Sequence, residues 1–331
     1  MLTRSEIERA LTAYDVGQVH STRIATHGLV NETAFAETAI GLVVVRRNQR
    51  RLGKASISER HRLLNYLKAH GFPAPRLIAN CNSETMTEIG GRLFEVFAYI
   101  EGDDFNPERP NHLRGVGRIL ATYHRVIAEY SEPPERDPPR YPPSMLNRLT
   151  ERLLERDVMG ELTEPLFWYD QRGAKLSRLL TDQVYNSLPQ LLIHGDIHKD
   201  NFLFRGDAVS ALLDFDQITT DARLVDLADA LVGLAPGKSP EGWSPWGVYD
   251  GPLDPERARL ILSAYEETAP LTMAERNALP VMIETIWLQG NLRRVLVTSD
   301  AEPDYHIEVL NQGRWLSGWL ADHGATFLGG R

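Results

Sequence analysis

IHGDIHKDNFLFRGDAVSALLDFD, residues 193–216, is the stretch that decides the fold. Its apolar runs, continuing QLLI on one side and AVSALL on the other, read as strands bracketing a polar loop. They set Asp196, Asn201 and Asp214 five and thirteen residues apart around an expected hairpin. A carboxylate, an amide oxygen and a second carboxylate so arranged suit phosphoryl transfer. That reaction needs an acceptor hydroxyl held in line with the γ-phosphate, and a hard cation on the β and γ oxygens. On this reading Asp196 orients the hydroxyl and acts as a weak base, and Asn201 and Asp214 hold magnesium.

Working outward toward the N-terminus, Leu2, Ile7, Ala10, Leu11 and Tyr14 recur at helical spacing, and Thr3 followed by Glu6 fits a capping box. The segment 19–50, with the turn-like THGLVNET and the run GLVVVRR, reads as antiparallel strands. Residues 56–70 form an expected helix ending at Gly71, FPAPRLI is extended, and 91–105 begins as a strand and ends in the turn-forming EGDD. Helices are expected over 111–129, 144–157 and 165–187, with the proline-rich 131–143 as an exposed connection. From Leu224 onward the pattern is mostly helical, interrupted by a loop at 235–253.

The 331 residues, 42% hydrophobic, allow two packed lobes. A net charge of −9 without a long basic run argues against a nucleic-acid partner. The one cysteine, Cys81, leaves no intramolecular disulfide to form, and no apolar run reaches 18 residues. Without a signal-peptide pattern at the start, a cytoplasmic protein with no membrane partner is expected.

HGDIHKDN, 194–201, resembles the His-Gly-Asp-x-His-x-x-Asn loop of the aminoglycoside phosphotransferase and choline kinase superfamily, and LLDFD, 212–216, resembles its metal-binding segment. Protein kinases carry a related loop followed by Asp-Phe-Gly. Here Asp216 stands in place of that glycine, and Ala-Pro-Glu is absent, which favours the small-molecule branch. The resemblance implies an α+β, bilobal protein kinase-like fold. An N-terminal antiparallel-sheet lobe, 1–97, would bind the nucleotide, and a larger, mainly helical lobe, 98–331, would carry catalysis and the acceptor. The implied cofactors are ATP and Mg2+.

The resemblance also places residues. Gly28, in HGLVNET, would lie in the turn over the nucleotide phosphates. Arg46 would contact the α and β phosphates, in preference to Arg47 because neighbours on a strand face opposite ways. Glu59 would pair with Arg46, and backbone groups of Ala98 and Ile100 would meet the adenine edge. Asp226, in LVDLADAL, would brace the catalytic loop. His194 reads as a structural residue, His198 as either a substrate-facing or a loop-bonding one, Lys199 as solvent-facing, and Asp216 as metal support or a turn acid. Trp243 and Trp246 would pack their own loop or wall an acceptor pocket. The aspartates 214, 216, 221, 226 and 229 hint at a cationic substrate.

The expected activity is transfer of the γ-phosphoryl group of ATP to a hydroxyl of a small molecule: an aminoglycoside, homoserine or a choline-like acceptor. Homoserine kinase type II and stress-response kinases are the most similar branches. The alternatives are a stress-type Ser/Thr protein kinase and a catalytically silent nucleotide-binding scaffold. Acceptor, ATP or GTP preference and oligomeric state stay open at the level of sequence.

Overall fold

A computed structural model describes residues 2–25, 31–48, 53–132, 140–239, 248, 251–298 and 301–327. The chain divides into two compact units, Met1–Asp103 with Ser210–Asp216, and Asp104–Val209 with Gln217–Arg331. The expected boundary at 97/98 left Ser210–Asp216 with the second lobe, whereas the structure puts this segment in the first.

The first unit opens with α1 (Arg4–Leu11), whose capping box forms as the sequence predicts. The Thr3 N–H donates to Glu6 Oε2 (2.9 Å), and the Glu6 N–H returns to Thr3 Oγ1 (3.3 Å). Then come β1 (Val19–Ile24), β2 (Glu32–Thr38), β3 (Gly41–Arg47), α2 (Lys54–Ala69), β4 (Thr87–Ile89) and β5 (Arg92–Ala98). The strands form one antiparallel sheet in the order β1-β2-β3-β5-β4. Alternation along the strands sorts its faces. Ala34, Ala36, Val43, Val45, Phe94 and Val96 pack with Ile7, Ala10 and Leu11 in one buried core, while Arg46 and Glu95, directly opposite each other in register, point to the other face. The Leu212 N–H donates to the Pro73 carbonyl (2.9 Å), which ties the 210–216 segment to this unit.

The second unit is mainly helical. After the two-residue β6 (Asp103–Asp104) come α3 (Pro110–Ile127), α4 (Ser144–Leu154), α5 (Thr163–Leu179), α6 (Asp182–Ser187), β7 (Gln190–Ile193), β8 (Phe202–Arg205) and β9 (Ala208–Leu212), whose end enters the first unit. Then follow β10 (Thr219–Ala222), α7 (Leu224–Leu234), α8 (Pro255–Glu266), α9 (Met273–Val297) and α10 (Pro303–Phe327). The helix expected over 165–187 is two: Leu180 leaves helical geometry, and the Thr181 side chain accepts the Val184 N–H to start α6. Leu146, Leu149, Leu166, Tyr169, Leu288, Leu292 and Leu310 join α4, α5, α9 and α10 in one core. Gly117 lets α3 approach α8, since a Cβ there would lie 2.2 Å from the Ile261 carbonyl oxygen. No described helix is long and apolar enough to cross a membrane.

Candidate active site

In the second unit, β7 pairs antiparallel with β10, and this ribbon delivers His194, Gly195 and Asp196. Gly195 has φ 76°, and a Cβ on it would stand 2.6 Å from the Gln217 carbonyl oxygen, so only glycine fits this turn. Asp226 on α7, fully buried, accepts the backbone N–H groups of His194 (2.8 Å) and Gly195 (2.9 Å). Its carboxylate also meets His124 Nε2 at 3.1 Å, and His124 Nδ1 meets the Tyr265 hydroxyl at 2.7 Å. Burial opposes ionisation of Asp226, but His124 and the backbone N–H groups outweigh it and hold the carboxyl below its usual range.

One helical turn on, Asp229 accepts the Ile197 N–H (3.0 Å). Burial, reinforced by Asp226 and Asp196, pushes its carboxyl up to about 7 against the pull of Ile197 and His198. The loop backbone is thus held at the N–H groups of His194, Gly195 and Ile197, on both sides of Asp196, whose own carboxylate stays 41% exposed. His198 Nε2 lies 3.7 Å from that carboxylate and Nδ1 3.6 Å from Asp200. The Asp196 carboxylate beside it, and then Asp200, raise the imidazole above its usual value, against the effect of burial. Asn201, in a short 3₁₀ turn and only 5% exposed, donates its amide to the Asp196 carbonyl (2.9 Å).

In the first unit, Arg46 lies among three carboxylates. Its Nε is 3.5 Å from Glu95, one terminal nitrogen is 3.6 Å from Asp214, and the other bonds Asp216. These charges outweigh burial and raise the guanidinium further. Asp214 has φ 53°, a left-handed turn that leaves its carboxylate 41% exposed. Asp216 also takes Arg60 and the Asn31 amide (2.5 Å), so it is an ion-pair hub and not a solvated turn acid. Arg47, on the opposite strand face, pairs instead with Glu6 (2.8 Å) and Glu32.

The expected pairing of Arg46 with Glu59 is not what the structure has. Neighbours on a helix point about 100° apart; Arg60 turns inward from α2, and the carboxylate beside Arg46 is Glu95 of β5. Sequence reading missed Glu95, although a lone acid inside LFEVF signals a buried charge that needs partners. It also passed over Asp229 as a structural support. Asp221 and Asp226 are fully buried and bonded to protein groups, which removes both from any surface for a cationic substrate. At the 98–100 segment, the Ala98 N–H already donates to the Arg76 carbonyl (2.9 Å), so Ala98 has only its carbonyl to offer a ligand. Gly28, Trp243 and Trp246 lie outside the described residues.

Among the described residues no group of three or more His, Cys, Asp or Glu is arranged to hold a metal. Asn201 in the second unit and Asp214 in the first each carry an oxygen donor of the kind a hard cation takes.

Residues 21–276 match the family model described as the phosphotransferase enzyme family, APH. The chain belongs to that family. This phosphotransferase is 27% identical over 305 residues to a homoserine kinase of Parvibaculum lavamentivorans, covering 88% of this chain and 84% of the relative. Among solved structures it resembles an aminoglycoside phosphotransferase from Alicyclobacillus acidocaldarius (TM-score 0.68, 15% identity, 97% and 93% of the two chains). It also resembles a spectinomycin phosphotransferase in complex with ADP and spectinomycin (TM-score 0.62, 11% identity, 95% and 98%). At these identities the structures speak for a shared kinase-like fold.

Proposed function

We propose that this phosphotransferase moves the γ-phosphoryl group of ATP to the hydroxyl of a small amino alcohol or amino acid, with homoserine the first acceptor to test. The observation that carries the reading is the Asp196 loop: an accessible carboxylate on a backbone whose N–H groups are bonded to Asp226 and Asp229. Such a carboxylate orients the acceptor hydroxyl and takes its proton as the bond to phosphorus forms. Asn201 and Asp214 hold magnesium, which when bound neutralises charge on the β and γ oxygens. Arg46 contacts the phosphates, and the Ala98 carbonyl and Ile100 N–H take the adenine edge. Homoserine comes first because the curated relative named above matches over most of both chains. ATP as donor suits a cytoplasmic setting.

The test is ATP consumption by the full chain with homoserine, choline-like amino alcohols and aminoglycosides, alongside Asp196→Asn. Turnover should fall at least about 100-fold in Asp196→Asn, with MgADP affinity unchanged. Undiminished turnover in a folded Asp196→Asn protein would refute the assignment.

A further inference from the structure

Strand β5 carries an acid where an apolar residue would cost less. Glu95 is fully buried, and its carboxylate is surrounded: Oε1 takes Arg60 and His61, and Oε2 takes the Asn48 amide and faces Arg46 Nε at 3.5 Å. His61 is in turn anchored through Nδ1 on Thr85 Oγ1 at 2.6 Å. Replacing a buried ion network by well-packed apolar side chains is often neutral or stabilising, so packing alone gives no reason for this one. Its geometry does. Glu95 and Arg46 stand directly opposite in the β3–β5 register, and the Glu95 carboxylate faces the Nε edge of the guanidinium at 3.5 Å, an ion pair without a hydrogen bond. The two terminal nitrogens are thereby directed to Asp214 and Asp216. Arg60 closes the frame, with one terminal nitrogen on Glu95 and the other on Asp216.

We propose that Glu95 is the positioning residue that aims Arg46 at the nucleotide phosphates, and that Arg60 locks Glu95 and Asp216 in place for it. The polarity is the reverse of the expected one: the helix supplies a cation and the strand supplies the carboxylate. This rests on the phosphate-contact reading of Arg46 given above. With Glu95 on its Nε side, the guanidinium presents both terminal nitrogens together, here to Asp214 and Asp216, and that pair can form the two parallel bonds that suit a phosphate. Released from Glu95, it would sample other rotamers, and the loss would fall on the phosphate part of the ligand alone.

Calorimetric titration of the full chain with MgADP and, separately, with adenosine tests this without any acceptor. Glu95→Gln should weaken MgADP about tenfold and leave adenosine within about twofold. Arg60→Lys keeps a cation but cannot bridge both carboxylates. It should weaken MgADP about threefold with adenosine unchanged, and it decides the matter if Glu95→Gln does not fold. MgADP affinity equal to wild type in these variants, with a loss in Arg46→Met, overturns the role of Glu95 while the phosphate reading of Arg46 stands. An equal loss for MgADP and adenosine also overturns it, since that marks a role in folding only. A wild-type chain that binds neither ligand removes the functional reading and this proposal with it.

Discussion

Replacing Asp226 with Asn keeps the shape of the side chain and removes its capacity to accept on both sides. In the wild type, Oδ2 takes the His194 N–H and faces His124, while Oδ1 takes the Gly195 N–H. In Asn, one terminal atom becomes a donor. Whichever way the amide turns, at least one buried N–H of the loop loses its acceptor and the remaining bond loses its charge. Hydrogen bonds to charged groups contribute about 1.5–3 kcal/mol each, so one lost and one weakened give about 3–4 kcal/mol, in line with a broken buried ion pair. At about 2–4 °C per kcal/mol for a unit of this size, the melting temperature should drop by roughly 10 °C. His194 and Gly195 immediately precede Asp196, and a misplacement of about 1 Å at a reacting group costs about 100-fold in rate. Scanning calorimetry and turnover at saturating ATP read the two effects. The Asp226 carboxyl sits below its usual range. Its stabilisation is therefore present above the unfolded value, about 3.9, and is lost as pH falls through the lower folded value. The acid limb of stability should be shallower in Asp226→Asn. A variant that melts within about 2 °C of wild type would refute the bracing argument.

Three further outcomes follow from the same geometry. Asp229 has its folded pKa raised to about 7, so its ionisation costs nothing below about pH 4, costs progressively more up to pH 7, and a constant amount beyond. Asp229→Asn should therefore gain stability over wild type by about 2–4 kcal/mol more at pH 8 than at pH 4, as read from urea midpoints at the two pH values. Gly195→Ala forces a side chain into φ 76° and against the Gln217 carbonyl. It should cost about 2–3 kcal/mol by chemical denaturation and at least about tenfold in turnover. Gly117→Ala puts a methyl against the Ile261 and Tyr265 backbone, far from the Asp196 loop in sequence. It should lower the denaturation midpoint by the equivalent of about 2–3 kcal/mol and leave MgADP affinity unchanged.

Much of the architecture was legible because periodicity reports local geometry. The capping box at Thr3, the strand run ending at Arg46 and the helix stop at Gly71 all depend on residues close in sequence. The Asp196 loop was legible for the same reason, since its residue types and spacing lie within one stretch. What could not be read was pairing across distance. Arg46 and Glu95 are 49 positions apart, and periodicity says which face a residue occupies, never which residue stands opposite. The one-residue difference between Glu59 and Arg60 reverses the sign of the charge that α2 contributes, and helical spacing alone cannot fix that phase. Strand β10 escaped notice because TTDA is polar in composition. It is buried because Asp221 takes the Tyr185 hydroxyl (2.5 Å) and the Arg140 N–H (2.9 Å).

The segment Ser210–Asp216 gives the order of synthesis a physical meaning. When residue 103 has been made, Arg46 and Arg60 exist without the Asp216 carboxylate that both of them bond. The sheet of the first unit can form early. Arg46 and Arg60 stay short of the Asp214 and Asp216 carboxylates until more than a hundred further residues have been added. Severing the chain at the first crossing would yield a fragment with an electrostatic deficit and no Leu212 to meet Pro73. Supplying 210–216 as a separate peptide should make that good, since the first unit is one cooperative part assembled from two separated stretches of chain.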